Sequence, residues 1–437
     1  MAQIFRAKKR VVDKQAIEVK IHSLDHQGRG VASYQGKVCF VDGALANEQI
    51  KAQITHNKAK FFEAKMLKVI TPSDERVIPF CQHNDVCGGC QMQHLALSAQ
   101  LQHKQQAVDK LFSKFTQQTA LNWQAAIESD STHYRRSARI ASFYDKTAQS
   151  LKLGFRGFRS KKIVEIAECQ VLSSHFHDVF IQLRQLLNRR SGFRSITHIQ
   201  LCDADNGQFV LLRHTKAISD SDKSYLAEQS KALGWHLIWD DGAGHSELAV
   251  LPHYRVGDVR FEFTLDNFVQ VNAPVNAAML AQASDWLTLS EGDIVLDLFC
   301  GIGNFSLLFA KQATSVIGVE GSASSVAMAI QNAHTNQIEN AEFHCFDLTQ
   351  DMTQANWFKA QAKVLVLDPS RTGAFEILKQ MPLAQFNKVL YVSCDPVTLA
   401  RDSKLLLDAG FSLVKIGLMN MFPHTGHIET MVLFQRR

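Results

Sequence analysis

The chain has 437 residues, enough for about three domains at roughly 150 residues each. Hydrophobic residues make up 46% and charged residues 20%, a globular balance that excludes a disordered chain. No apolar run approaches the roughly 18 residues of a membrane span, which excludes an integral helical membrane protein.

The N-terminus, MAQIFRAKKRVV, is basic with no apolar segment behind it, so it is not a secretory signal. Nine cysteines are too few for a disulfide scaffold. The chain therefore reads as cytoplasmic, and clustered cysteines read as metal-binding or catalytic. The net charge is only +5 but unevenly spread: residues 1–70 hold thirteen Lys and Arg against six Asp and Glu, and residues 131–164 hold nine against one. The rest of the chain is acidic. Two basic islands on an acidic chain point to a polyanion partner. The second, YRRSARIASFYDK followed by LGFRGFRSKK, interleaves arginines with aromatics, the mixture that pairs phosphates and stacks unpaired RNA bases.

In chain order, residues 15–70 predict short strands. AIEVKI, EQIKAQIT and EAKMLKVI alternate, VCFV is a short apolar run, and QGRG, YQGK and VDGALANE are turns. Five or so strands in so short a span predict a small antiparallel OB-like barrel. PSDERVIPFC then opens a cysteine-rich loop, and residues 96–118, without Gly or Pro, fit an amphipathic helix. Residues 131–265 mix strands with at least one helix, FHDVFIQLRQLLNRR. From about 290 onward short apolar strands alternate with helices, the rhythm of a parallel α/β sheet.

In DIVLDLFCGIGNFSLLFA, the apolar strand 294–299 runs into Gly301-Ile302-Gly303, with a helix expected next. The glycines permit a tight turn and close backbone approach to a ligand. A second strand, SVIGVE, ends in Glu320, placed to accept hydrogen bonds from ribose hydroxyls. The third position of a dinucleotide fingerprint is Ser306, which argues against a pyrophosphate and for S-adenosylmethionine. AEFHCFD ends in Asp347, KVLVLDPS carries Asp368 and KVLYVSCDP carries Cys394. In an open α/β sheet, strand ends point Phe299, Glu320, Asp347, Asp368 and Cys394 at one crevice.

Carbon 5 of uracil is too poor a nucleophile to take a methyl group directly. A thiolate adding to carbon 6 makes an enolate that attacks through carbon 5, and a base must then remove the carbon-5 proton. Cys394 fits the nucleophile. GHIETMVLF offers Glu429 as the base, with His427 two residues earlier on the same strand face.

The cysteines Cys81, Cys87 and Cys90 form a tight triple. Zinc sites usually show paired C-x2-C knuckles and only one pair is present. Three clustered cysteines plus one distant ligand fit an iron–sulfur cluster better. By spacing alone the fourth ligand is open among Cys169, Cys39 and Cys202, with His83 and His94 nearer.

FVQVN at 268–272, LFCGIGNFSL, VLDPSRTG, YVSCDPVTLARD and PHTGHIET stand in the order found in the RNA (uracil-5)-methyltransferase family, which this chain resembles from about residue 15 to its end. The resemblance implies Cys394 as nucleophile, Glu429 as base, and Gln270, Phe299, Asn304, Glu320, Asp347 and Asp368 as S-adenosylmethionine contacts. It puts Phe268 near the target base and Arg139 near the substrate. It also selects Cys169 as fourth ligand of a [4Fe–4S] cluster with Cys81, Cys87 and Cys90, of structural or RNA-contacting role, and leaves Cys39, Cys202, Cys300 and Cys345 as core residues. One departure shows: the family usually has two prolines after the strand-end aspartate, and here Asp368-Pro369 is followed by Ser370.

The expected architecture is α/β in three parts: an OB-like TRAM barrel over 12–72, an α+β central RNA-binding domain with the iron–sulfur loop over 73–267, and a class I, Rossmann-like methyltransferase domain over 268–437. The helix near 96–118 is expected to pack on the catalytic domain. Barrel and cluster together match the members that act on 23S rRNA, at a U1939-type site, as a monomer with no membrane and no obligate protein partner. Other readings are the same chemistry at another 23S rRNA uridine or on tRNA, a radical methylthiotransferase, and a non-enzymatic iron–sulfur assembly factor that binds RNA. Radical enzymes use a C-x3-C-x2-C triple, whereas the first gap here is five; a decayed enzyme would have lost a catalytic residue, and none is missing.

Overall fold

The computed structural model describes residues 16–246, 248–358 and 361–436. The basic N-terminal segment and the first residues of the expected barrel, 12–15, lie outside the described residues. The chain divides into two compact units. One runs through Phe80 and takes in Cys90–Ala107 and His424–Gly426; the other holds Cys81–Gly89, Val108–Pro423 and the chain from His427.

The first unit is built on β1 (Ala16–Lys20), β2 (Ser23–Leu24), β3 (Gly30–Tyr34), β4 (Lys37–Asp42), β5 (Gln49–Asn57) and β6 (Phe61–Thr71). They form one sheet in the order β1-β5-β6-β4-β3-β2. Strands β1 and β2 are nearly continuous in sequence yet stand at opposite edges, so the sheet curls back on itself. Period-2 alternation sends Ile17, Val19, Val41, Ile50, Ala52 and Phe62 inward. Fully buried Glu48 ties down the VDGALANE turn, accepting from the Leu45 N–H at 2.8 Å and from Arg76 Nη2 at 2.9 Å. The barrel is not wholly antiparallel as expected, because β4 and β6 pair in parallel. Alternation is the same in both pairings, so the sequence carries no sign of direction.

Helix α1 (Leu97–Thr116) matches the Gly- and Pro-free stretch. Its residues from Val108 belong to the second unit, where Asp109 accepts from Trp123 Nε1 at 2.8 Å. Residues 122–127 then bridge in parallel to Ile416 and Met419.

The second unit holds two larger sheets. The first comprises β7 (Ser137–Asp145), β8 (Ser150–Arg156), β9 (Ile163–Glu165), β10 (Ile196–Ala204), β11 (Gly207–His214) and β12 (Trp235–Asp240), ordered β12-β11-β10-β7-β8-β9. Helices α2 (Val179–Leu187) and α3 (Asp220–Ala232) cover one face through Phe180, Leu183, Leu187 and Leu226. The opposite face, with Phe209, Leu211 and Ile238, shares a core with Phe261, Phe263, Leu307, Ala329 and Phe343. The hairpin β13 (His253–Val256) and β14 (Val259–Glu262) contributes to that core through Tyr254 and Phe261.

Helix α4 (Ala273–Leu287) starts at Asn272, whose side chain accepts from the Val275 N–H, a normal N-cap. The last sheet follows: β15 (Ile294–Leu298), β16 (Ser315–Glu320), β17 (Ala341–Cys345), β18 (Val364–Leu367), β19 (Lys388–Ser393), β20 (Phe411–Met419) and β21 (Glu429–Arg436), with helices α5 (Ser306–Ala310), α6 (Ala323–Thr335), α7 (Phe375–Gln380) and α8 (Pro396–Asp408). The order is β17-β16-β15-β18-β19-β21-β20. The first five strands are mutually parallel and β21 is antiparallel to both neighbours. The central strands are apolar runs buried on both faces, as parallel strands are. Among the described residues no helix is long and apolar enough to cross a membrane.

Candidate active site

The order reverses between β15 and β18, the switch point at which open α/β sheets bind ligands. The chain leaves β15 through a tight turn, with positive φ at Phe299 (66°), Gly301 (57°) and Gly303 (88°). Phe299 and Cys300 donate backbone N–H groups to Val319 O at 2.8 and 3.2 Å. Glu320, at the tip of β16, accepts from the Gly301 N–H at 3.3 Å and from the Ser322 N–H at 2.9 Å. The carboxylate thus sits against the glycine turn. The helix expected after the turn is the five-residue α5, too short to offer a developed helix terminus.

Asn304 exchanges amide contacts with Asn276 of α4 (3.0 and 3.4 Å) and accepts from the Tyr254 hydroxyl at 2.8 Å. The Tyr254 ring stacks under Arg136, 4.4 Å from guanidinium carbon to centroid, and Arg136 Nε donates to Gln270 O at 3.0 Å. Gln270 and Asn304 are therefore linked through Arg136 and Tyr254. Asp347 is exposed and accepts from Thr349 N and Oγ1 at 3.0 and 2.7 Å, which holds its carboxyl below the usual range. It bounds its own turn rather than joining the buried carboxylates.

Two carboxyls are strongly perturbed. Burial pushes Asp368, just beyond β18, up to about 7. Asp297, inside β15, also rises to about 7, chiefly through burial and also because Asp368 and Glu320 stand near. Ser306 donates to its Oδ2 at 2.5 Å, while Oδ1 is buried without a hydrogen bond. Asp297 escapes a reading based on strand ends because it lies mid-strand. Its signal was the one charge in the apolar run IVLDL.

Cys394 directly follows β19, and Asp395 caps α8 by accepting from Val397 N and Thr398 N at 2.9 and 3.1 Å. The last pair of the β19–β21 ladder is Ser393 with Thr430. One step further, the antiparallel register brings Cys394 to Glu429. Burial pushes the Cys394 thiol up to about 11, the charges of Glu429 and Asp368 push the same way, and Arg371 opposes them. Cys394, Glu429 and the strand-end Asp368 thus stand within electrostatic reach of one another. Arg371, missed as a site residue, is the cation there, and its Nη2 lies 3.4 Å from His427 Nδ1. His427 is exposed and precedes β21, so it does not share a strand face with Glu429. The period-2 argument fails because the strand begins only at Glu429. Ser370, in place of a second proline, pairs its hydroxyl with that of Thr372 at 3.0 Å and accepts from the Gly373 N–H at 2.9 Å.

Beside the sheet, Arg135, Arg139, Gln200, Asn267 and Phe268 line a cavity of about 270 Å³. Phe268 is 74% exposed, an aromatic face open to stacking.

Cys81, Cys87 and Cys169 lie within electrostatic reach of one another, and burial raises Cys87 and pushes Cys169 up to about 11. The loop bearing Cys87 pairs with Gly157, and Gly88 N donates to Arg156 O at 2.9 Å, joining it to the basic island. Cys90 belongs to the first unit. Among the described residues no three His, Cys, Asp or Glu side chains are arranged to hold a metal ion. The four expected ligands are all sulfur, a chemistry that suits a multi-iron cluster better than a single hard cation. Cys39, Cys202 and Cys300 are buried, as expected, but Cys345 is exposed because it ends β17, the edge strand of its sheet.

A seven-stranded sheet of this order, with a glycine turn and a cysteine–glutamate pair at its strand ends, defines a class I methyltransferase fold. The tRNA (Uracil-5-)-methyltransferase family profile matches residues 96–437 and the TRAM domain profile residues 13–67, and the chain belongs to this uracil-5-methyltransferase family. The 23S rRNA (uracil(1939)-C(5))-methyltransferase RlmD of Pseudoalteromonas translucida (strain TAC 125) is 55% identical over 442 residues, covering 100% of both chains. The protein of the same name from Shewanella sp. (strain MR-7) is 43% identical over 450 residues, covering 100% of this chain and 99% of its own. Among solved structures, the Pyrococcus abyssi tRNA (uracil-54, C5)-methyltransferase in complex with S-adenosyl-L-homocysteine matches with a TM-score of 0.73 at 20% identity, over 96% of this chain and 100% of that one. It shares the fold.

Proposed function

We propose that this chain methylates carbon 5 of uridine 1939 in 23S rRNA, through a covalent bond between Cys394 and carbon 6 of the base. The observation that carries the reading is the meeting of Cys394, Glu429 and Arg371 where β19 runs past β21. Relatives of 55% and 43% identity named for that reaction support the substrate.

The thiol as folded is far from ionised at neutral pH, so its proton must leave as the base arrives. Arg371 favours the thiolate and Glu429 opposes it. The Cys394 thiolate adds to carbon 6, and the electron pair moves to carbon 5 and the carbonyl oxygen. S-adenosylmethionine supplies the methyl group as an electrophile and leaves as S-adenosylhomocysteine. Glu429 then takes the proton from carbon 5, the enolate re-forms, and the thiolate is expelled, restoring uracil aromaticity with a methyl at carbon 5. In this reading Gln270, Phe299, Asn304, Glu320, Asp347 and Asp368 hold the methyl donor. Phe268 stacks on a base beside Arg139.

The division 12–72, 73–267 and 268–437 then separates barrel, RNA-binding middle and catalyst. Cys81, Cys87, Cys90 and Cys169 would hold a [4Fe–4S] cluster that ties the loop to the basic island, and no chemical step passes through it. This reading makes the protein a monomer that works in the cytoplasm with rRNA as its partner.

The test uses anaerobically purified protein, S-adenosylmethionine and a 23S rRNA fragment carrying 5-fluorouridine. Fluorine cannot leave as a proton, so the adduct stalls on Cys394. A band that survives a denaturing gel and is absent for Cys394→Ala is expected, with RNA binding retained in the variant. An adduct only on tRNA would overturn the substrate, and none on any RNA would overturn the reaction.

A further inference from the structure

The loop from Asp368 to Ala374 carries Arg371, whose charge favours a Cys394 thiolate. Arg371 is exposed, and its contact with His427 Nδ1 is long, at 3.4 Å. The loop is held from below. Fully buried Asp402, in the second turn of α8, accepts from the Ala374 N–H at 2.7 Å and from the Tyr391 hydroxyl at 2.7 Å. The same hydroxyl also accepts from the Ala374 N–H at 3.0 Å. The other Asp402 oxygen accepts from Arg401 Nε at 2.7 Å, and Arg401 Nη2 donates to Thr372 O at 2.9 Å. Gly373 leaves no room for slack: at φ +75°, a Cβ there would lie 2.5 Å from Asp402 Oδ2 and 2.7 Å from Arg401 Nη2.

A carboxylate buried with a tyrosine and an arginine is costly to build and contributes little net stability over an apolar replacement. One of its hydrogen bonds holds Ala374 of the loop, three residues past Arg371, and its partner Arg401 holds Thr372. Asp368 has a separate anchor, its N–H on Leu298 O at 3.4 Å. Helix α8 thus begins at the nucleophile and, one turn and a half later, clamps the loop that faces it.

We propose that Asp402, with Tyr391 and Arg401, is a positioning residue for methyl transfer: the clamp on Thr372 and Ala374 keeps the Arg371 guanidinium beside the Cys394 sulfur. This rests on the functional reading above for its consequence, but its physical content does not need turnover. The groups facing the sulfur are Glu429 and Asp368, which disfavour the thiolate, and Arg371, which favours it. Loosening Arg371 leaves two carboxylates unopposed.

The test is alkylation of the full-length protein by iodoacetamide at pH 8.5, with each cysteine quantified by peptide mass spectrometry and exposed Cys345 as internal reference. In Asp402→Asn the rate at Cys394 relative to Cys345 should fall about three- to tenfold, the effect of weakening one nearby opposite charge. Methyl transfer should lose kcat by the same factor and recover toward wild type at higher pH, with the KM for S-adenosylmethionine unchanged. A folded variant whose alkylation ratio stays within twofold of wild type overturns the proposal, as does a pH profile merely scaled down. If Asp402→Asn does not fold, Tyr391→Phe carries the test. It deletes one hydroxyl from the clamp and should lower the ratio at least twofold; no change overturns the proposal. If wild-type protein methylates no RNA, the functional reading fails while the alkylation arm still decides the clamp.

Discussion

Glu429 stands opposite Cys394 by ladder register, and its charge disfavours ionisation of the Cys394 thiol. That suits a base that acts after the thiolate has become a thioether. Glu429→Gln keeps the shape and removes the proposed base, so carbon 6 addition and methylation should proceed while the carbon-5 proton stays. Ordinary uridine RNA should then accumulate a covalent complex that survives denaturation, with turnover down by about 10²–10⁴-fold; a gel without the complex would show that another group removes the proton. Asp297 and Asp368 give a second prediction. Burial raises both to about 7 from an ordinary 3.8. A carboxyl raised in the folded state contributes stability that is fully present below its unfolded value and lost as pH rises through its folded value. The ligand-free protein should therefore lose stability between about pH 4 and 7. Asp297→Asn should unfold above wild type at pH 8, by about 2–4 °C for each kcal/mol recovered, and the two curves should converge at pH 4. Thermal scans across that range check it; a gap independent of pH would place its origin elsewhere. The contrast between these residues marks what the sequence discloses. Cys394, Glu320 and Asp368 were legible because each ends an apolar strand. Asp297 was not, because a mid-strand carboxyl has no positional signature until its neighbours are known. Arg371 and Asp402 were not, because loop contacts join residues about thirty positions apart.

At the level of elements, periodicity located α1 and about half of the strands, none of them within 131–265, and said nothing of pairing. The parallel β4–β6 contact and the closure of the barrel arise from which strands meet, and alternation is blind to that. The same holds for His427, where two residues of spacing predicted a shared face that the late start of β21 removes. Gly154 shows how pairing can hinge on one side chain. It sits in β8 opposite Glu165 of β9, and a Cβ there would lie 1.8 Å from Val164 O. No rotamer relieves a clash with backbone. Gly154→Ala should therefore push the three-residue β9 off the sheet edge and release the basic turn 157–162 that β8 and β9 frame. Amide exchange in 163–165 should become fast while the barrel stays protected, and RNA affinity should fall. Unchanged exchange would mean the edge has a second anchor.

For the molecule as a whole, the decisive quantity is charge. One basic island lies in the barrel segment and the other in the turn region of the central sheet, on a chain whose net charge is only +5. Arg139, Lys161 and Lys162 are exposed, and exposed cations gain strongly from phosphates. Each phosphate neutralised on a single strand releases counterions and adds about −0.7 to the slope of log K against log salt. A footprint of about six phosphates gives a slope near −4, and affinity should then fall by more than a hundredfold between about 50 and 200 mM salt. Replacing Lys161 and Lys162 by Gln should reduce the slope by about 1.4 and leave single-turnover methylation at saturating RNA unchanged, because both lie on a turn remote in sequence from the Cys394 strand. Anisotropy titrations of a labelled 23S rRNA fragment over that range measure the slope directly. A flat dependence would mean that base stacking on residues such as Phe268, rather than the basic islands, carries the affinity, and the double variant would then bind like wild type at every salt concentration.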